Sequence, residues 1–104
     1  MTQQFSDKFT TESDLFTFDF SSVLGATETI STATCTVALM DGVDASPSSI
    51  LSGAATISGT QATQRIINGV DTCTYRLIMT ITTSLSNTFV GTGDVTVIAP
   101  GDFK

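Results

Sequence analysis

Cys35 and Cys73 are the two thiols of a 104-residue chain that has no histidine. Thiols can ligate a metal, act as nucleophiles or close a disulfide. A structural zinc site takes about four ligands from Cys and His, so two cysteines fall short of one. Without histidine, neither a Ser-His-Asp nor a Cys-His arrangement can be assembled, and the commonest general base near neutral pH is missing. The cation nearest Cys73 is Arg76, which strand alternation sends to the opposite face, so nothing in the pattern draws that thiol toward a thiolate. With no export signal in residues 1–11, two buried reduced thiols are the leading expectation and a disulfide the alternative.

The carboxylates offer little more. A paired-acid mechanism needs two acids facing one cleft, and the nearest candidates are Asp14, Asp19 and Glu28. Asp19 alternates away from the phenylalanines of its own segment, which makes it a solvated or turn-capping group. Asp41 and Asp44 sit in a glycine-containing loop and could lend oxygens to calcium, but a calcium site wants more carboxylates at fixed spacing. A solvated turn is the simpler reading. The residues therefore predict no catalytic residue, no metal site and no cofactor, and the chain is not expected to be an enzyme.

The elements that would hold these residues are strands. Twenty threonines and twelve serines supply most of the polarity, whereas charged residues make up only 13% of the chain. Threonine is β-branched and suits a pleated surface. In residues 14–20, Phe16, Phe18 and Phe20 share one face against Thr17 and Asp19. Residues 30–39 alternate again, with Ala33, Cys35, Val37 and Leu39 inward, and residues 72–84 give the longest clean alternation, through Cys73, Tyr75, Leu77, Met79 and Ile81. Shorter strands are predicted at 50–58 and 60–67, the latter closed by Asn68-Gly69. Gly91 and Gly93 are expected to break residues 88–98 into a last strand or a pair. Residues 21–28 read as a turn or short helical segment, and residues 41–49 and 86–87 as turns.

About seven short strands with regular turn signals predict an all-β, antiparallel sandwich. One domain is expected, with an arm at 1–13, a sandwich at 14–98 and a tail at 99–104. The net charge of −6 and four scattered cations, Lys8, Arg65, Arg76 and Lys104, argue against nucleic acid, which is gripped by clustered Lys and Arg. The same acidity opposes anionic membranes, and no apolar run nears the roughly 18 residues that span a bilayer. Phe5, Phe9 and Phe103 fall outside the predicted strands, where burial is harder, so they are the candidate partner-binding aromatics. An open edge strand could also pair with a neighbour, and periodicity does not say which strand lies at the edge.

The run Ile66-Ile67-Asn68-Gly69-Val70-Asp71-Thr72-Cys73-Thr74-Tyr75-Arg76-Leu77 resembles the corner of immunoglobulin-like and fibronectin type III domains. There a tyrosine near the start of a central strand bonds back across the corner, and Tyr75 is the only tyrosine. The chain departs from antibody domains in lacking tryptophan and in placing Cys73 before Tyr75, with Leu77 where the cysteine would stand. The order Asp14-Leu15-Phe16-Thr17-Phe18-Asp19-Phe20-Ser21-Ser22-Val23-Leu24, then Glu28-Thr29-Ile30, then Tyr75-Arg76-Leu77 and Thr82-Thr83-Ser84, is similar to small structural proteins of tailed bacteriophages of the fiber-tail adaptor type. That resemblance implies an immunoglobulin-like fold and a non-enzymatic virion protein assembled in the bacterial host cytoplasm. It would be present in several copies and bound to portal, neck, tail or fiber subunits. Two other readings of the residues stay open: a capsid decoration protein, and a soluble carbohydrate or cell-surface binding module using loops 41–49 and 84–88.

Overall fold

Alternating apolar and hydroxyl side chains give each strand one face to bury, and the chain satisfies them all by stacking two sheets. The structure is a computed structural model that describes residues 2–5 and 7–99. Its strands are β1 (Thr2–Gln4), β2 (Lys8–Phe9), β3 (Asp14–Asp19), β4 (Ile30–Asp41), β5 (Leu51–Ser58), β6 (Gln61–Ile66), β7 (Thr74–Thr83) and β8 (Thr88–Ile98). A 3-10 turn, Pro47–Ile50, precedes β5. One sheet runs β3-β6-β5 and the other β1-β8-β7-β4, with β2 also on β8. Apart from β1 and β2, every pairing is antiparallel. The division of β3-β6-β5 against β4-β7-β8 is compatible with the BED and CFG sheets of an immunoglobulin-like sandwich.

The core lies between the sheets. Phe16, Phe18 and Phe20 face Tyr75, Leu77, Met79, Ile81, Val95 and Val97, each at most 6% exposed. Burying a large apolar side chain contributes roughly 1.5–3 kcal/mol, so this cluster carries most of the drive to fold. Gln64, also inward and buried, donates from Nε2 to the carbonyls of Ser52 (3.3 Å), Gly53 (3.1 Å) and Arg65 (3.0 Å). Those bonds fill the register break that bends β5 between Ser52 and Thr56. A buried amide is tolerated because its donors are satisfied.

Two expectations change. The segment expected as an arm is extended but built into the sheet: Thr2 to Gln4 pair in parallel with Thr92 to Asp94, and Lys8 and Phe9 with Val97 and Ile98. It supplies β8 with the neighbour that an edge strand lacks. Nor do Gly91 and Gly93 break the last strand, which is continuous across both. A Cβ at Gly91 would lie 3.2 Å from the rings of Phe18 and Phe20, and one at Gly93 would lie 2.3 Å from Phe5 Cε2. The glycines are there because aromatic rings from the facing sheet and from the arm rest on bare backbone.

Phe5 and Gly93 are thus one unit. The expected consequence is that Gly93→Ala costs about 1–3 kcal/mol by overpacking, while the same change in a Phe5→Ala background costs markedly less. A double-mutant cycle by urea denaturation measures this coupling, and additive effects would contradict it.

Candidate functional site

At one end of the sandwich the chain enters β3, leaves β4, enters β5, leaves β6, enters β7 and leaves β8. The loops gathered there, residues 42–46 and 67–73, are joined through Tyr75. Its ring is fully buried, and its Oη accepts the Val70 N–H at 2.9 Å and donates to Asp44 Oδ2 at 2.8 Å. Burial, reinforced by Asp44 and opposed by the Val70 amide, raises the phenol well above its ordinary value, so the donor persists at any physiological pH. Beside it the Cys73 thiol donates to the Val43 carbonyl at 3.6 Å. Gly42 sits so close to that sulfur that a Cβ would come within 2.5 Å of it.

The remaining strand ends are fastened to the same corner. Ala99 N–H donates to Asp71 Oδ1 at 2.9 Å. Lys8, 1% exposed, crosses to the turn after β6 and donates from Nζ to the carbonyls of Asn68 and Phe9. Burial lowers its pKa, with Glu12 and Asp14 acting in the opposite direction. Between β2 and β3 the Glu12 carboxylate accepts the Phe9 N–H at 2.7 Å, which closes the turn.

What this scaffold presents is apolar and acidic. Val43 is 87% exposed at the tip of one pinned loop and Val70 42% exposed on the other, with Met40 also exposed at the end of β4. Asp7, Glu12, Asp14, Asp41, Asp44 and Asp71 lie toward this end, against Lys8 and Arg65 as its cations. The opposite end carries Asp19 and Glu28. A pinned loop loses little freedom on contact, so such tips suit recognition of a protein surface better than chemistry.

The residues singled out from the sequence are scattered over the fold. Phe5 is half buried, its ring 4.9 Å from Phe16 and 5.4 Å edge-on from Phe18, so it serves the domain's own core. The slot opened by Gly93 receives the ring. Phe9 is half buried in β2. Phe103 lies outside the described residues. Cys35 and Cys73 are both buried free thiols, and burial pushes Cys35 up to about 11, away from thiolate chemistry.

Asp19 accepts the Ser21 N–H at 2.9 Å, and Asp14 accepts the Leu15 N–H at 2.8 Å. Glu28 accepts from Thr83 Oγ1, the Gly25 N–H (3.0 Å) and Asn87 Nδ2 (2.8 Å). Among the described residues no three metal-ligating side chains come together, and no helix is long and apolar enough to cross a membrane. Sequence reasoning missed Lys8 and the pairing of Tyr75 with Asp44. The only signal for the first was a lysine beside Phe9 in an otherwise acidic segment.

Two comparisons return nothing: no curated protein and no solved structure matches the chain. Residues 8–96, however, match the family model Gp77, described as Podophage GP4 fiber-tail adaptor protein gp77.

Two outcomes are expected of this geometry. Tyr75→Phe leaves the Val70 amide and the Asp44 carboxylate without their shared partner and lowers stability by about 1–3 kcal/mol in denaturant titration. For Glu28, hydrogen bonds led by Thr83 hold the carboxyl below its ordinary 4.5. Its contribution is complete above that value and is lost as pH falls through the lower folded-state pKa. Glu28→Gln should therefore flatten the fall in stability below about pH 4.5, measured as midpoint against pH.

Proposed function

The chain belongs to the podophage fiber-tail adaptor family, which makes it a structural component of the phage particle that binds other phage proteins, and on that premise we propose how it joins them. In this reading it is a non-enzymatic, multi-copy connector between tail and fiber components, and the acidic corner end with Val43 and Val70 is one of its two contact surfaces. The observation that carries the reading is the family match across residues 8–96, which spans both sheets from β2 into β8.

The geometry supports it in two ways. A connector must transmit position, and the arm is paired along β8 instead of hanging free, so the body is one stiff unit. Its contact loops are tied to the core through a buried phenol, which fixes the valine tips relative to the sheets. A partner that fits this end carries a basic rim around an apolar recess, because opposite charge steers the approach and the valines fill the centre. The flanking residues, Phe9 among them, run beside this end and belong to the same proposed contact.

The test is genetic and structural. Phage lacking the protein, and phage carrying Val43→Asp with Val70→Asp, are purified and imaged. Substitution of such exposed side chains should shift stability by no more than about 0.5 kcal/mol. The null particles are expected to lack fibers, and the double variant, folded, is expected to be absent from particles. Fully fibered particles formed without the protein would overturn the adaptor assignment. A double variant incorporated normally would overturn the corner end as contact surface.

A further inference from the structure

β4 ends the larger sheet on the side away from the arm, and among the described residues no strand pairs with its outer edge. It is twelve residues long and runs in unbroken register with β7 from Thr32 to Leu39. From Ile30 to Met40 it contains no charged residue, proline or glycine. Those omissions matter, because natural edges are normally blunted by shortness, charge, proline or a bulge, and the register shifts of β4 fall only at its two ends, between Ile30 and Thr32 and between Leu39 and Asp41. The other edges have such devices: β1 is three residues long, β3 begins and ends in aspartate, and β5 breaks register at a positive-φ Gly53.

The same flank is under-covered inside. Val37 and Leu39 of β4 face the core, opposite Leu77 and Tyr75, yet are only partly buried. Ile57 of β5 stands directly opposite buried Ala62, hence on the inner face, and is still 41% exposed. The two strands lie against each other along this seam. Unpaired backbone and half-covered apolar side chains therefore coincide on one line.

We propose that this edge pairs with β4 of a second copy, antiparallel about a two-fold axis, so that the larger sheets join into one and each copy closes the seam of the other. Charge decides for a second copy. A molecule of net charge −6 repels its own kind, but residues 30–40 and 51–60, which form this flank, contain no ionisable side chain except the buried Cys35. Two copies can thus meet here without opposing carboxylates, whereas the corner end forbids it. A two-fold contact needs one self-complementary patch, and an uncharged β-strand edge is such a patch. This pairing is independent of which phage component the corner end binds.

The experiment is sedimentation equilibrium of the full chain from micromolar to millimolar concentration, with Thr36→Lys and Ile57→Asp as variants. Thr36 is exposed near the middle of β4, so in a two-fold pairing centred on that strand a lysine there would face its symmetry mate, while Ile57→Asp places charge in the seam. The expected result is a dimer whose dissociation constant rises at least tenfold in each variant, with unchanged circular dichroism and, at concentrations where every form is monomeric, similar melting. Hydrogen exchange of residues 32–39 should slow on dimerisation. A wild-type chain that stays monomeric at millimolar concentration overturns the proposal. So does a dimer that both variants leave intact, or one that leaves β4 exchange unchanged. None of these results bears on whether particles need the protein for their fibers.

Discussion

Aromatic rings resting on a glycine-bared strand set the geometry of everything else in this domain. Phe18 from β3, Phe20 just after it, and Phe5 from the arm settle over Gly91 and Gly93 of β8, where a Cβ would crowd the first two rings and collide with the third. Sandwich sheets usually stand about 10 Å apart because side chains from both interdigitate. At these two positions β8 has no side chain, so the rings rest directly on its backbone. The arm follows from that placement. Phe5 can reach Phe16 and Phe18 only by lying along β8, and Lys8 then falls within reach of the turn after β6.

The flank away from β8 is covered less completely. With three strands facing a wider sheet, coverage must fail somewhere, and it fails at β4, where inward Val37 and Leu39 stay partly open. The closed flank and the open flank are one consequence of unequal sheet width. Tight aromatic packing on the first side is compatible with an unfinished edge on the second because each strand needs only its own face buried, and β7, between them, is buried along its whole inner face.

Much of this was legible in the residues. The alternation of β3, β4 and β7 located three strands and their inward residues, since a period of two needs no tertiary information. Tyr75 stood out as the only tyrosine before a central strand. Other features could not be read. Parallel pairing of β1 and β2 with β8 joins opposite ends of the chain, and neither local propensity nor periodicity encodes a partner some ninety residues away. Gly91 and Gly93 carry the usual mark of a break, and only the rings above them reveal the opposite meaning. Asp44 looked like a loop carboxylate because its partner, the Tyr75 hydroxyl, is supplied by a different strand.

The corner shows how the fold manages without a disulfide. Both thiols are free, so no covalent link ties β4 to β7 beyond their own ladder. In the place of one, a phenol held between an amide and a carboxylate pins two loops, and a buried ammonium pins the arm. Such groups contribute modest net stability, but leaving any one of them unsatisfied costs more than the pair gains. They therefore act as selectors of a single loop arrangement more than as sources of stability. A fixed arrangement makes the acidic valine tips at that end a defined shape, and the uncharged β4 edge beside it is a different kind of surface altogether. One repels a like molecule and the other does not, so contacts with unlike and like partners are sorted to separate parts of a small domain by charge alone.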